Sequence, residues 1–472
     1  MIIEVPDIIP PAEELGSVHF VGVGGAALSG LARIMVGRGL SVSGSDIHDS
    51  AMLASLRDLG IPCHVGHRAD QVEGADTVVV STAVREDNAE VVRAGELGLR
   101  VWPRSAAVQS LLLGRIAVVV TGTHGKTTTT SMLATALISC GAEPSYAIGS
   151  TLNATGLNAA AGSGSIFVAE GDESDEAILT YTPTGAVVTN VDADHLDHFG
   201  TVEAYVAVFD AFLDRIDPGG FTVCCVDDPG AARLADLADK RSLKVVRVGE
   251  SDQADLQIRS AAFAGSTSAY EVWTGTRCLG TVTLQVPGAV YVMDSLAALA
   301  AGLELGYGFD ELVVGLASFR GSGRRMEHKG RGGGVEVYDS YAHHPVEIAA
   351  DLQAARALVP AGKLVVCFQP HLVSRTRIFG ERMGVALGGA DRVVVMEVYA
   401  AREDRDPDVD GGLVASAVPL PRDHVAYEPD REATVQRVVD FAKPGDVILT
   451  LGAGDVTELG ADILAVLQVR DA

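Results

Sequence analysis

The stretch Val118-Val119-Val120-Thr121-Gly122-Thr123-His124-Gly125-Lys126-Thr127-Thr128-Thr129 decides how this chain is read. Three β-branched apolar residues predict a buried strand, and a glycine-containing turn follows. Lys126-Thr127 then opens a run of helix formers, Ser131-Met132-Leu133-Ala134-Thr135-Ala136-Leu137. A strand, a glycine turn and a helix N-terminus, in that order, surround a polyphosphate with backbone N–H groups. Gly122, Thr123, His124, Gly125, Lys126, Thr127 and Thr128 form the expected ATP-binding turn. Lys126 would reach the β- and γ-phosphates, and the Thr127 hydroxyl would bind Mg²⁺. Val120 stands where the strict pattern G-x-x-x-x-G-K-[ST] has its first glycine, so the loop is a departure from that pattern. The alternative is an ordinary glycine turn between a strand and a helix.

Composition limits what else the chain can be. At 472 residues it is too long for one core, and two or three domains are expected. A hydrophobic content of 47% supports large buried cores. The 36 basic and 62 acidic residues give a net charge of −26, which repels nucleic acid and anionic membranes. An anionic substrate must therefore meet a local basic pocket; simple solubility accounts for the acidity as a whole. The opening Met1-Ile2-Ile3-Glu4-Val5-Pro6-Asp7 has neither a basic n-region nor a long apolar core, so no secretory signal is expected. No apolar run approaches the roughly 18 residues of a membrane span. Cys63, Cys140, Cys224, Cys225, Cys278 and Cys367 lie in mostly apolar settings without C-x-x-C spacing. They are expected to be reduced core residues of a cytoplasmic protein, with no zinc site.

Short apolar strands alternate with Ala/Leu-rich helices along the chain. That pattern predicts an α/β protein of three Rossmann-like domains with mainly parallel sheets, the central one a P-loop-type ATPase domain. The expected boundaries are 1–113, 114–318 and 319–472. In the first domain, Gly22, Gly24 and Ala27 satisfy G-x-G-x-x-[GA] after the strand that opens at Val18, with a helix from about Leu28 to Arg38. Ser45-Asp46 follows where such a fold carries a ribose-binding acid. Alone, this motif suggests a dinucleotide-dependent oxidoreductase. The physics supports only a pyrophosphate at a helix N-terminus, which a UDP-sugar also carries. Gly24-Gly25 and Ser29-Gly30 are unusual for a dehydrogenase, and an oxidoreductase leaves the ATP loop and the third domain unexplained. The Thr/Gly-rich segment near 262–287 is expected to form an antiparallel extension, and 320–334 reads as a linker and turn.

Two strand ends follow the ATP loop. Ile166-Phe167-Val168-Ala169 delivers Glu170-Gly171-Asp172-Glu173-Ser174-Asp175, and Val187-Val188-Thr189-Asn190-Val191 delivers Asp192-Ala193-Asp194-His195-Leu196-Asp197-His198. Ligands bind at the C-terminal ends of parallel strands, so Glu170 and His195 are expected beside Lys126 as metal ligands. For Asp172, Asp175 and Asp197 a solvated acidic loop is as good a reading. In the third domain, Asp339-Ser340-Tyr341-Ala342-His343-His344-Pro345 and Phe368-Gln369-Pro370-His371-Leu372-Val373-Ser374-Arg375-Thr376 supply basic and polar groups for an anionic substrate. One of His343 and His344 is expected to be structural, and His328 and Arg331 to lie at the surface.

Taken in order, G-V-G-G-A-A-L-S-G, T-G-T-H-G-K-T-T, E-G-D-E-S-D, T-N-V-D-A-D-H-L-D, G-S-G-R-R-M-E, D-S-Y-A-H-H-P and F-Q-P-H-L-V-S-R-T resemble the Mur ligase family along nearly the whole chain. H-H-P with F-Q-P-H is typical of the member that joins L-alanine to UDP-N-acetylmuramate, and of the related one that recycles murein tripeptide. The resemblance implies an ATP-dependent amide-forming ligase of peptidoglycan synthesis, a monomer or homodimer, working through an acyl phosphate. It implies that Lys126 and Thr127 hold phosphate and a first Mg²⁺, and that Glu170 and His195 hold a second metal. Arg325 would meet the γ-phosphate and Asp339 the ATP ribose. His343 and Arg375 would position L-alanine, Arg375 taking its carboxylate. UDP would lie on Gly22, Gly24, Gly25 and Ser29, with Ser45, Asp46 and Ser81 nearby. Domain closure is expected on ATP binding, because these groups come from the second and third domains. The family's G-x-H-N-x-x-N adenine segment stands here as Gly288-Ala289-Val290-Tyr291-Val292-Met293-Asp294, and Asp294 can accept from the adenine amino group but cannot donate. Leu372 and Ser340 also depart from the family's usual Arg and Asp. A nucleotide-binding regulatory protein without turnover is the non-enzyme alternative; intact Lys126, Glu170, His195 and Arg375 argue against it.

Overall fold

A computed structural model describes residues 3–359, 361–401 and 403–469; the side chains of Leu196 and Asp197 lie outside the described residues. The first sheet comprises β1 (Val18–Val21), β2 (Val42–Asp46), β3 (Cys63–Val65), β4 (Thr77–Val80) and β5 (Arg100–Pro103), in the order β3-β2-β1-β4-β5. Every neighbouring pair in it is parallel. All four residues of β1 are buried, as expected of a strand covered on both faces.

The second sheet contains β6 (Ile116–Thr121), β7 (Ser145–Leu152), β8 (Leu157–Ala160), β9 (Ile166–Glu170), β10 (Gly185–Val188), β11 (Phe221–Cys225) and β12 (Lys244–Gly249). It continues with β13 (Leu256–Ala264), β14 (Thr267–Thr274) and β15 (Arg277–Leu284), which are sheet neighbours in that order. The strand β6 lies between β10 and β9 and runs parallel to both. Its chain neighbours in the parallel sheet thus leave on opposite sides. That reversal opens a crevice beyond the carboxyl end of β6, where ligands bind in open α/β sheets.

The third sheet comprises β16 (Glu327–Gly332), β17 (Val335–Ser340), β18 (Leu364–Phe368), β19 (Arg392–Val395), β20 (Val425–Tyr427) and β21 (Val447–Leu451), in the order β16-β17-β21-β18-β19-β20. It is parallel apart from the β16–β17 pair. Three α/β domains, each on a mainly parallel sheet, make up the fold. The segment expected as a linker at 320–334 is corrected here, since it supplies the edge strand β16. Glycines and charges depress strand propensity, yet the backbone of Glu327–Gly332 pairs with β17 across an irregularity between His328 and Gly330. Cys278 is exposed, against the expectation of a core residue, while Cys224, Cys225 and Cys367 are buried; all six cysteines are free. Among the described residues no helix is long and apolar enough to cross a membrane.

The chain divides into two compact units, one of Met1–Arg259, Val272–Gly280 and Met293–Ser318, the other of Ser260–Glu271, Thr281–Val292 and Phe319–Ala472. In the first unit a single hydrophobic core runs through both sheets and includes Phe20, Leu31, Val119, Phe167 and Phe209. The helix Ala26–Gly37 lies against β8, and Asn158 Nδ2 donates to Ala26 O at 2.8 Å. Gly30 permits that approach: a Cβ there would stand 2.9 Å from the Ala159 Cβ. This explains Gly30, which no dehydrogenase requirement accounts for. Gly30→Val is expected to cost about 1–3 kcal/mol through overpacking, read as a lower thermal midpoint in calorimetry. An unchanged midpoint would show that the helix has room to shift.

Candidate active site

The chain leaves β6 at Thr121, turns through Gly122 and Gly125 with φ of +131° and +82°, and enters the helix Lys126–Ser139. Both glycines are sterically fixed. A Cβ on Gly122 would lie 2.2 Å from Thr189 Oγ1, and one on Gly125 would lie 2.6 Å from Asp294 Oδ1. The helix has no side-chain cap at Gly125, so its N-terminal dipole is directed at whatever occupies the loop. The end of β10 braces the turn: Asn190 Oδ1 accepts from His124 N at 2.8 Å, and its Nδ2 donates to His124 O at 3.0 Å.

Lys126 folds back over this loop. Its ammonium donates to Gly122 O at 2.6 Å, to Thr123 O at 3.0 Å and to Glu173 Oε1 at 3.0 Å. Glu173 is fully buried and also accepts from the Tyr205 hydroxyl at 3.3 Å, which lies 2.9 Å from Thr123 Oγ1. Burial works against the Lys126 charge, but Glu173, Asp172 and Glu170 outweigh it and hold the ammonium above its ordinary pKa. Burial pushes the Glu173 carboxyl up to about 7, opposed by Lys126 and assisted by Asp172. Sequence reasoning passed over Glu173 and Tyr205, although Glu173 lies inside the quoted E-G-D-E-S-D motif.

The expected metal ligands are placed in two groups. Thr127 Oγ1 donates to Glu170 Oε1 at 2.9 Å, and Gly149 N orients the other carboxylate oxygen at 2.6 Å. His195, at a left-handed φ of +53°, faces Glu173 Oε1 at 3.8 Å and Asp194 Oδ2 at 3.7 Å. Among the described residues no group of three or more His, Cys, Asp or Glu is arranged to hold a metal by itself. The Thr127 hydroxyl and Glu170 carboxylate still fit Mg²⁺, which takes hard oxygen ligands and completes its shell from phosphate and water. Asp172 and Asp175 form neither a metal cluster nor a free acidic loop. They lie 3.2 and 3.7 Å from Arg104, at the start of the helix that follows β5. Burial acts to raise both carboxyls; Arg104 holds Asp172 below its ordinary value, whereas Asp175 stays above because Asp172 repels it. Asp197, like Leu196, has a side chain outside the described residues.

At the first sheet, Gly22 turns with φ +86°, and Gly25 caps the helix Ala26–Gly37. Gly24 N donates to Asp46 Oδ2 at 2.8 Å, so this carboxylate braces the loop itself. Ser81 sits against Gly22, where a Cβ would come within 3.0 Å of the Ser81 Cβ. Two expected groups turn inward. Ser29 Oγ donates to Ala26 O at 3.0 Å, and Ser45 Oγ donates at 2.6 Å to Glu90, a fully buried carboxylate. Glu90 also meets His19 Nε2 at 3.3 Å and His67 Nδ1 at 3.4 Å. No local pattern could have found this network, since its members come from four separate segments.

The second unit carries the remaining groups. Asp339 is fully buried on β17 and accepts from Thr450 Oγ1 at 2.6 Å, Thr457 Oγ1 at 2.7 Å and Arg324 Nε at 3.3 Å. Arg324 and Arg325 lie over the Tyr341 ring at 4.9 and 5.1 Å. His343 Nδ1 is 2.9 Å from Tyr341 O, and its ring meets His371 at 6.0 Å. His344 is buried and begins the helix Pro345–Leu358, whereas His328 and Arg331 are at least half exposed in their side chains. Arg375 is buried on the helix Val373–Leu387, which starts after Leu372 in the left-handed region at φ +67°. Of the altered adenine segment, Tyr291 is buried and Val290 exposed in this unit; Asp294, in the first unit, is buried against Gly125. Ser340 donates to Asp351, whose carboxyl burial pushes up to about 6, with Glu347 adding to the effect.

A phosphate loop, a nucleotide-type glycine turn and a third α/β domain carrying Arg325, His343 and Arg375 make up a three-domain nucleotide-binding α/β architecture, and comparison with known proteins places it among ligases. Three family profiles match in order: the Mur ligase family catalytic domain over residues 17–115, the Mur ligase middle domain over 120–302, and the Mur ligase glutamate ligase domain over 324–454. The chain belongs to the Mur ligase family. It is 57% identical to the UDP-N-acetylmuramate–L-alanine ligase of Nocardioides sp. across 99% of this chain and 100% of that one. The protein of the same name from Thermobifida fusca is 50% identical, over 96% and 97% of the two chains. Among solved structures, UDP-N-acetylmuramate–alanine ligase MurC from Thermotoga maritima superposes with a TM-score of 0.80 at 28% identity, covering 96% of this chain and 99% of that one. A murein peptide ligase from Psychrobacter arcticus, at 22% identity, 96% and 99% coverage and a TM-score of 0.71, shares the fold.

Two outcomes follow from this geometry. Gly125→Ala is expected to weaken ATP binding about 10- to 100-fold, the equivalent of 1–3 kcal/mol of backbone strain, measured by titration calorimetry with circular dichroism unchanged. Asp351→Asn addresses the raised carboxyl. A folded-state pKa near 6 against an ordinary 3.8 penalises the folded state fully above pH 6 and not at all well below 3.8. The variant should therefore exceed the native protein in thermal midpoint most above pH 6, with the difference shrinking as pH falls toward 4. A difference independent of pH would locate the effect elsewhere.

Proposed function

We propose that this chain is an ATP-dependent ligase that joins L-alanine to the lactyl carboxylate of UDP-N-acetylmuramate in cytoplasmic peptidoglycan precursor synthesis. The observation that carries the reading is the join of Lys126 with the Thr127–Glu170 pair at the carboxyl end of β6. It is supported by the alanine-ligase name of relatives 45–57% identical over nearly the whole chain. Residues 1–113 hold the UDP-sugar on Gly22, Gly24 and Gly25, with Ser29, Ser45, Asp46 and Ser81 shaping that loop. Residues 114–318 hold ATP through the turn Gly122–Thr128, with Asp294 at its edge. Residues 319–472 supply Arg325, Asp339, His343 and Arg375.

The lactyl carboxylate oxygen attacks the γ-phosphorus of ATP; the bond to the bridging oxygen breaks, and ADP leaves. The resulting acyl phosphate is attacked by the amine of L-alanine. A tetrahedral intermediate collapses with loss of phosphate, and the amine proton passes to solvent or to a nearby base. Such transfer depends on positioning and charge neutralisation more than on a covalent nucleophile. Lys126 and Arg325 offset phosphate charge, while His343 and Arg375 hold the amino acid by its ends. Metal ions, a first Mg²⁺ held at Thr127 and a second at Glu170 and His195, would neutralise phosphate oxygens and the charge that develops on them.

The test is phosphate release from ATP and Mg²⁺ in an omission series. Release is expected only with UDP-N-acetylmuramate and L-alanine together, with a product heavier by one alanine residue in mass spectrometry. Release with murein tripeptide in place of L-alanine would assign the recycling reaction instead. ATP binding without release in any mixture would overturn the enzymatic reading.

A further inference from the structure

We infer that Glu173 is a positioning residue of this ligase, which locks the phosphate loop, the acidic loop after β9 and the His195 loop into one buried unit. The inference rests on the functional reading above and assigns a role to a carboxylate that does not belong to its proposed ligand sets. Glu173 is fully buried, and three partners from three segments converge on it: Lys126 Nζ at 3.0 Å, the Tyr205 hydroxyl at 3.3 Å and His195 Nε2 at 3.8 Å. Tyr205, itself fully buried on the helix Val202–Leu213, extends the connection to Thr123 Oγ1 at 2.9 Å. Thr123 in turn accepts from Asp192 N at 2.9 Å and so joins the β6 turn to the strand end that carries His195.

The Lys126 bonds show why this carboxylate matters. An ammonium has three donors, and here they go to Gly122 O, Thr123 O and Glu173. Two of those acceptors are neutral carbonyls of the loop that Lys126 must stay on. The third is the only partner of the three that a phosphate oxygen can replace without unmaking the turn. Glu173 therefore holds the ammonium at a fixed height above the loop and hands it to phosphate within reach of the Thr127–Glu170 pair. A carboxylate in that place also adds negative charge beside the nucleotide. Its loss should impair the arrangement of the reacting groups without impairing ATP binding.

The experiment uses full-length native protein, Glu173→Gln, Tyr205→Phe and the double variant, with phosphate release measured at varied ATP, UDP-N-acetylmuramate and L-alanine. Glu173→Gln keeps the volume and an oxygen that can accept from Tyr205. It is expected to lower kcat about tenfold or more, the scale of a mispositioned group, with KM for ATP unchanged or reduced. Tyr205→Phe should give a smaller loss in the same parameter. The double variant should be no worse than Glu173→Gln alone, because both act through one network. Glu173→Gln with native kcat would overturn the inference, as would a kcat loss accompanied by a raised KM for ATP, which marks a damaged loop. Losses that multiply in the double variant would overturn it too. Failure of the native protein to release phosphate would overturn the functional reading, and this inference with it.

Discussion

A single half-buried ammonium organises the carboxyl end of β6. Lys126 satisfies two carbonyls of its own turn and one carboxylate from the next strand end, so the loop cannot open without stranding a charge. The turn, the helix behind it and the acidic segment after β9 are consequently held in one arrangement before any nucleotide arrives. Preorganisation of this kind spares the reaction the cost of rearranging dipoles while charge moves.

The acidity of the chain sharpens the point. On the proposed reading, a protein carrying −26 must gather polyphosphate, sugar nucleotide and amino acid, all with negative groups. Its cations are accordingly used where they count. Arg104 is spent on Asp172 and Asp175, which leaves Lys126 as the charge within the phosphate turn. Arg324 and Arg325 are stacked on Tyr341 in the other unit, which fixes the planes of two guanidiniums, that of Arg324 against the buried Asp339.

Much of this was legible in the sequence because its signals are local. Val118–Val120, Gly122, Gly125 and Lys126 lie within one short segment, and each has a steric or electrostatic reason to be what it is. Strands such as Thr77–Val80, Phe221–Cys225 and Val447–Leu451 also declare themselves as apolar β-branched runs. The network around Glu173 was not legible. A carboxylate set beside Asp172, Ser174 and Asp175 reads as solvated until a tyrosine 32 residues away is seen to cover it. Glu90 hides for the same reason, since its partners Ser45 and His19 lie 45 and 71 residues off. The edge strand β16 escaped because backbone pairing, not side-chain pattern, makes it a strand.

Gly30 and Ala159 carry a wider consequence. Their contact pins the helix that starts at the Gly22–Gly25 turn to β8, which pairs with β7, which lies beside the strand bearing Glu170. The distance from the glycine turn at Gly22–Gly25 to the Glu170 carboxylate is thereby built into the scaffold as a fixed gauge. On the proposed reading, the enzyme measures its sugar nucleotide by length. A molecule whose carboxylate hangs one bond too short or too long would bind at one end and miss the chemistry at the other.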